Sequence, residues 1–73
     1  MDTAKLVHMA NQIGKFFAAR GEEAAVAGIA DHLKRFWDPR MRAEIAAHLE
    51  AGGAGLDASV MKAIQSLRSK PSP

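Results

Sequence analysis

An Asp-Pro step interrupts a chain otherwise written for helix. Pro39 fixes its own φ, has no amide proton to donate, and pushes Asp38 out of helical geometry. A helix therefore ends there and another begins, with Asp38 as N-cap and Pro39 at the first helical position. The same stretch, residues 29–45, holds the only tryptophan, Trp37, next to Phe36, and four basic residues, Lys34, Arg35, Arg40 and Arg42. Alanine, which favours helix and buries little surface, supplies much of the 48% hydrophobic content, while Ile, Thr, Val and Tyr are scarce. The expected fold is all-α: a small single-domain bundle of three to four short helices over residues 1–69, with 70–73 as a disordered tail.

A chain of 73 residues makes one domain at most and buries about 60% of its unfolded surface. Domains this small lean on a disulfide, a metal or a partner. There is no cysteine, which removes disulfides and thiolate metal sites, so helix packing and a partner protein remain. The formal charge of +2 is too mild to argue for nucleic acid by itself. No apolar run approaches the ~20 residues of a membrane span, and the N-terminus lacks a signal-peptide pattern. A soluble, cytoplasmic protein is the expectation.

Asp2 or Thr3 opens a first helix of about residues 4–19. At 100° per residue, Leu6, Val7, Met9, Ala10, Ile13, Gly14, Phe16 and Phe17 cover about half its circumference. A helix lying only against a small core needs less, so part of this face meets a second surface, with Asn11 and Gln12 at its edges. Gly21 reads as a left-handed helix terminator, and Glu22 and Glu23 favour the start of helix two, which runs to about Trp37. Its apolar line is Val26, Ile29, Ala30, Leu33, Phe36 and Trp37, with Gly28 opposite and His32 beside Phe36. Helix three spans about 39–51 with Met41, Ile45 and Leu49 inward, and Glu44 and His48 spaced to pair. The glycines at 52, 53 and 55 turn the chain, and Asp57 caps a fourth helix of about 58–68 with Val60, Ile64 and Leu67 inward and Met61 at the margin.

Among site chemistries, metal and catalysis find little to stand on. His8, His32 and His48 fall on three different helices, whereas a zinc site needs three or four convergent ligands. No nucleophile stands beside a histidine, and the glycines of residues 52–55 follow no strand and precede no Gly-Lys-Ser/Thr. Asp31, Asp38 and Glu44 interrupt the basic cluster, which weakens a DNA interface across the Asp38-Pro39 turn. A Trp beside arginines, next to a wide apolar helix face, matches the composition of protein-binding hot spots. These features favour an interaction module; a generic helical adaptor or nucleic-acid-binding module is the alternative.

Several segments carry a family resemblance. They are Lys5-Leu6-Val7, Met9-Ala10-Asn11-Gln12-Ile13-Gly14, Phe16-Phe17, Gly28-Ile29-Ala30 with His32, and Phe36-Trp37 with Pro39-Arg40-Met41-Arg42. Ala47-His48-Leu49, Gly52-Gly53 and Gly55-Leu56 follow. In order and approximate spacing, over about residues 5–56, the chain resembles the delta subunit of cytoplasmic, NAD-dependent, molybdenum-containing formate dehydrogenase. Residues 18–25 and the tail after about 68 carry no matching motif. The resemblance implies an accessory subunit without a cofactor of its own. It would bind the catalytic alpha subunit, within a complex with beta and gamma subunits that carries molybdenum cofactor, iron–sulfur clusters, FMN and NAD. The implied roles are assembly, stability or cofactor loading. The expected contact residues are Asn11, Gln12 and Phe16 on helix one, and His32, Phe36, Trp37, Arg40, Met41 and Arg42 around the corner. The isolated chain, with its wide apolar face, has a means of self-association.

Overall fold

The structure is a computed structural model that describes residues 2–69, so the expected tail at 70–73 lies outside the described residues. Four α-helices follow one another: α1 (Thr3–Phe17), α2 (Glu22–Phe36), α3 (Pro39–Glu50) and α4 (Ala58–Ser69). No strand occurs among the described residues. The all-α expectation holds, with four helices.

Each helix begins or ends for a local chemical reason. Asp2, rather than Thr3, caps α1, its carboxylate accepting from the Ala4 amide at 3.2 Å. Thr3 instead donates to Glu44 at 2.5 Å and ties the start of α1 to α3. The chain leaves α1 through a 3₁₀ turn, Ala18–Arg20, two residues earlier than periodicity suggested. Gly21 then has φ 91° and ψ 159°. That conformation is open essentially to glycine alone, yet it is not the left-handed helical cap expected; it reverses the chain so that α2 runs back along α1. At the other end, α3 closes in a Schellman arrangement. Gly53 N donates to His48 O at 2.9 Å, Gly52 N to Leu49 O at 3.0 Å, and both glycines have positive φ.

The core lies where α2 packs between α1 and α4. Leu6 and Ala10 from α1, Ala25, Ile29 and Leu33 from α2, Ile45 from α3, and Val60, Ala63 and Ile64 from α4 are almost wholly excluded from water. Trp37 and Leu56, which lie outside the four helices, complete this cluster. Met41, Leu49, Val26 and Leu67, expected inward, are half-buried and pack on its margin. Alanines 25 and 63 are core positions that the apolar stripes did not mark. A methyl side chain is buried only where two helices approach closely, which the sequence does not display.

Two glycines set those close approaches. A Cβ on Gly14 would lie 2.7 Å from Val60 Cγ2, so α1 and α4 meet there without room for a methyl group. A Cβ on Gly28 would lie 2.6 Å from the Phe17 ring. Gly28 had been placed on the outer side of α2. It is instead the seat of Phe17, which leaves the neighbouring Phe16 ring in edge-to-face contact at 5.1 Å between centroids.

Candidate functional site

Helix α2 stops at Phe36, and that single residue separates the two aromatics at the corner. Trp37 takes an extended conformation, φ −90° and ψ 137°, because the chain must enter the Asp38-Pro39 step. Its ring folds back into the core and is 5% exposed. Phe36, still helical, points outward and is 71% exposed. Apolar spacing had put both on the inward stripe of helix two; the helix end divides them.

The corner itself is held by two local devices. Asp38 accepts from the Met41 amide at 2.9 Å, and Pro39 occupies the first helical position, as the sequence requires. Arg42 reaches back across the turn: its Nη1 donates to Trp37 O at 2.7 Å, Lys34 O at 2.9 Å and, more weakly, Leu33 O at 3.4 Å. These carbonyls lie at the negative end of the α2 dipole, and of the three only Leu33 O already accepts a backbone bond, from the Trp37 amide at 3.1 Å. Arg42 was expected to aim its guanidinium at a partner; in this chain one edge of that group is committed to fixing the α2–α3 angle. Arg42→Ala is expected to destabilise the fold by about 1–2 kcal/mol, read from the urea midpoint. A midpoint unchanged within error would mean that these bonds contribute nothing net.

Asn11 is likewise engaged within the chain. Its Nδ2 donates to Gly55 O at 2.7 Å and its Oδ1 accepts from the Asp57 amide at 3.0 Å, tethering the α3–α4 loop to α1. Asp57 precedes α4, and its carbonyl accepts from Met61 N at 2.9 Å. Glu44 and His48 do not pair: Glu44 takes the Thr3 hydroxyl, and His48 Nε2 donates to Ala54 O at 2.8 Å. His8, His32 and His48 remain on separate helices, and among the described residues no three His, Asp or Glu side chains converge as a metal set. No described helix is long and apolar enough to cross a membrane.

Four of the remaining expected residues line one groove, and Phe36 stands beside it. Gln12 and Phe16 from α1, with His32 and Trp37 from the far end of α2, line an open groove of about 420 Å³ together with Met9, Ile13 and Phe17. Phe36 stands at its edge, its ring 4.7 Å from that of His32. Met41 is half-buried against the core and Arg40 is exposed at the start of α3. Met9 was assigned to the apolar arc but not to the contact set; its 39% exposure places it in the groove. A second hollow of about 840 Å³ lies between α2, α3 and α4. Its rim carries Asp31, Lys34, Arg42 and Arg68 over alanines, half-buried Leu67 and the buried Ile45 and Ile64. Asp31 pairs with Arg35 at 3.0 Å and Arg68 with Glu50, so much of that rim is already internally matched.

The distribution of exposed apolar side chains decides between the two. Met9, Phe16 and Phe36, the large hydrophobic residues left most exposed, all belong to the α1–α2 groove or its edge. Each phenylalanine leaves on the order of 100–150 Å² of ring in water, about 3 kcal/mol of burial not realised by this chain alone. The described residues thus form a small helical bundle with one aromatic groove whose large apolar side chains stay in water.

Comparison with known proteins supplies a family. Residues 5–64 match the family described as NADH-dependent formate dehydrogenase delta subunit, FdsD, and the chain belongs to this family. No curated protein and no solved structure gives a significant match. The family match extends into α4, past the point where the recognisable motifs of the sequence end.

Proposed function

We propose that this chain is a non-catalytic accessory subunit that docks on the large, molybdenum-bearing alpha subunit of a cytoplasmic formate dehydrogenase. Beta and gamma subunits complete that complex, and the alpha subunit receives the α1–α2 groove. Membership of the delta-subunit family supports the assignment to a formate dehydrogenase. The observation that carries the docking mode is the gathering of Phe16, Phe36 and Met9 on one face, where their burial becomes available only on association. Molybdenum cofactor, iron–sulfur clusters, FMN and NAD belong to the other subunits in this scheme. The chain contributes a rigid surface, and its consequence for the enzyme is assembly, stability or retention of the molybdenum cofactor.

Affinity purification of the tagged chain from its native host tests this. The alpha subunit is expected to co-elute. A tagged chain that elutes without any formate dehydrogenase subunit overturns the proposal. Molybdenum per alpha subunit, measured with and without the chain, separates two roles: a fall in its absence marks cofactor loading, and a constant value marks scaffolding.

A further inference from the structure

Three cations without ion-pair partners stand near the groove along the chain. On α1, Lys5, Met9, Gln12 and Phe16 recur at steps of three and four residues, so exposed Lys5 ends the same helix row that lines the groove. At the other end of α1 the Arg20 guanidinium lies 5.2 Å from the centroid of Phe17, a groove residue. Exposed Arg40 stands three residues beyond Trp37, in the first turn of α3. None of these three cations has a carboxylate partner among the described residues. Of the acids nearest to them along the chain, Asp2 accepts from the Ala4 amide and Asp38 from the Met41 amide, while exposed Glu23 stands three residues beyond Arg20. Glu22 and Glu50 pair with Lys62 and Arg68, both on α4. The result is an apolar floor near three cations that form no ion pair with the described carboxylates of the chain itself.

We propose that the occupant of the groove is an acidic amphipathic segment of the alpha subunit. Its aliphatic side chains enter beside Phe16 and Phe36, and its flanking Asp or Glu carboxylates meet Lys5, Arg20 and Arg40. This rests on the docking reading above and specifies the partner's chemistry. Charge complementarity supports it: a neutral apolar segment would leave three cations unmatched at the rim, and a basic one would be repelled. The groove, at about 420 Å³, has room for a few side chains, not for a folded element. Arg20, laid against the Phe17 face, is pre-oriented, and its planar group accepts a carboxylate in two-pronged fashion.

The test uses the formate dehydrogenase complex purified from a strain lacking this chain, with the full chain added back. Binding of the unsubstituted chain is expected to weaken as salt rises. The triple reversal Lys5→Glu, Arg20→Glu, Arg40→Glu is expected to weaken binding by more than about 30-fold at low salt and to abolish that salt dependence. Independently of any substitution, zero-length carbodiimide coupling is expected to join Lys5 to an Asp or Glu of the alpha subunit. Reversal variants that bind within threefold of the unsubstituted chain, with no Lys5 cross-link, overturn the acidic occupant while leaving docking intact. Failure of the unsubstituted chain to bind the alpha subunit overturns docking and, with it, this proposal.

Discussion

Trp37→Ala is expected to leave the chain close to its unfolding threshold at 25 °C. Domains of this length are stable by roughly 4–11 kcal/mol, and removing a buried tryptophan takes away about 3–5 kcal/mol. Trp37 is 5% exposed and belongs to the same cluster as Leu6, Leu33 and Ile45. It also follows the last turn of α2, where its carbonyl is the nearest acceptor of Arg42. Loss of the ring weakens the core, while that backbone carbonyl, and with it the Arg42 bond at the corner, is retained in the alanine variant. Thermal melting followed by circular dichroism is expected to shift by more than about 12 °C, since each kcal/mol moves the midpoint of so small a domain by about 4–8 °C. Trp37→Phe, which keeps an aromatic ring on the core, is expected to shift it much less. A shift below about 4 °C for the alanine variant would show that the ring adds little to the core.

The second large effect is on binding and leaves the fold alone. Phe16 and Phe36 are 72% and 71% exposed, so the double variant Phe16→Ala, Phe36→Ala is expected to melt within a few degrees of the unsubstituted chain. Its affinity for the formate dehydrogenase complex lacking this chain is expected to fall by about 100-fold or more, because aromatic anchors carry most of the energy of such contacts. A variant that folds normally and still binds within threefold would remove the groove from the interface. The two experiments separate functions that residues 36 and 37 share in sequence. One is read in the melting curve of the isolated chain, the other in the complex.

Much of the architecture was legible in the linear sequence because its causes are local. The Asp38-Pro39 step, the carboxylate of Asp2 and the glycines at 52 and 53 act within a few residues of themselves, and the structure uses each at a helix boundary. Apolar spacing likewise identified Leu6, Ile29, Leu33, Ile45, Val60 and Ile64 as core. The candidate site was legible only in part. Gln12, Phe16, His32, Phe36 and Trp37 come together, as a shared surface would require. Asn11 and Arg42 satisfy the chain's own backbone, one at Gly55 and Asp57, the other at the end of α2. A polar side chain at the edge of an apolar arc looks the same in sequence whether its partner is a loop 44 residues away or another protein.

By itself, then, the sequence determined that this protein is helical, where its helices start and stop to within a few residues, and which delta-subunit family it resembles. Those properties follow from backbone propensity, capping and residue order, all short-range. Only the tertiary structure decided that Gly28 seats Phe17, that Gly14 brings α1 against α4, that Trp37 is core while Phe36 is surface, and that Arg42 fixes the corner. Each depends on where a second helix lies, and no spacing along one helix encodes that distance. The physical reason is packing: whether an apolar side chain is covered or exposed is settled by the volume that its neighbours leave, and that volume exists only once the helices have met.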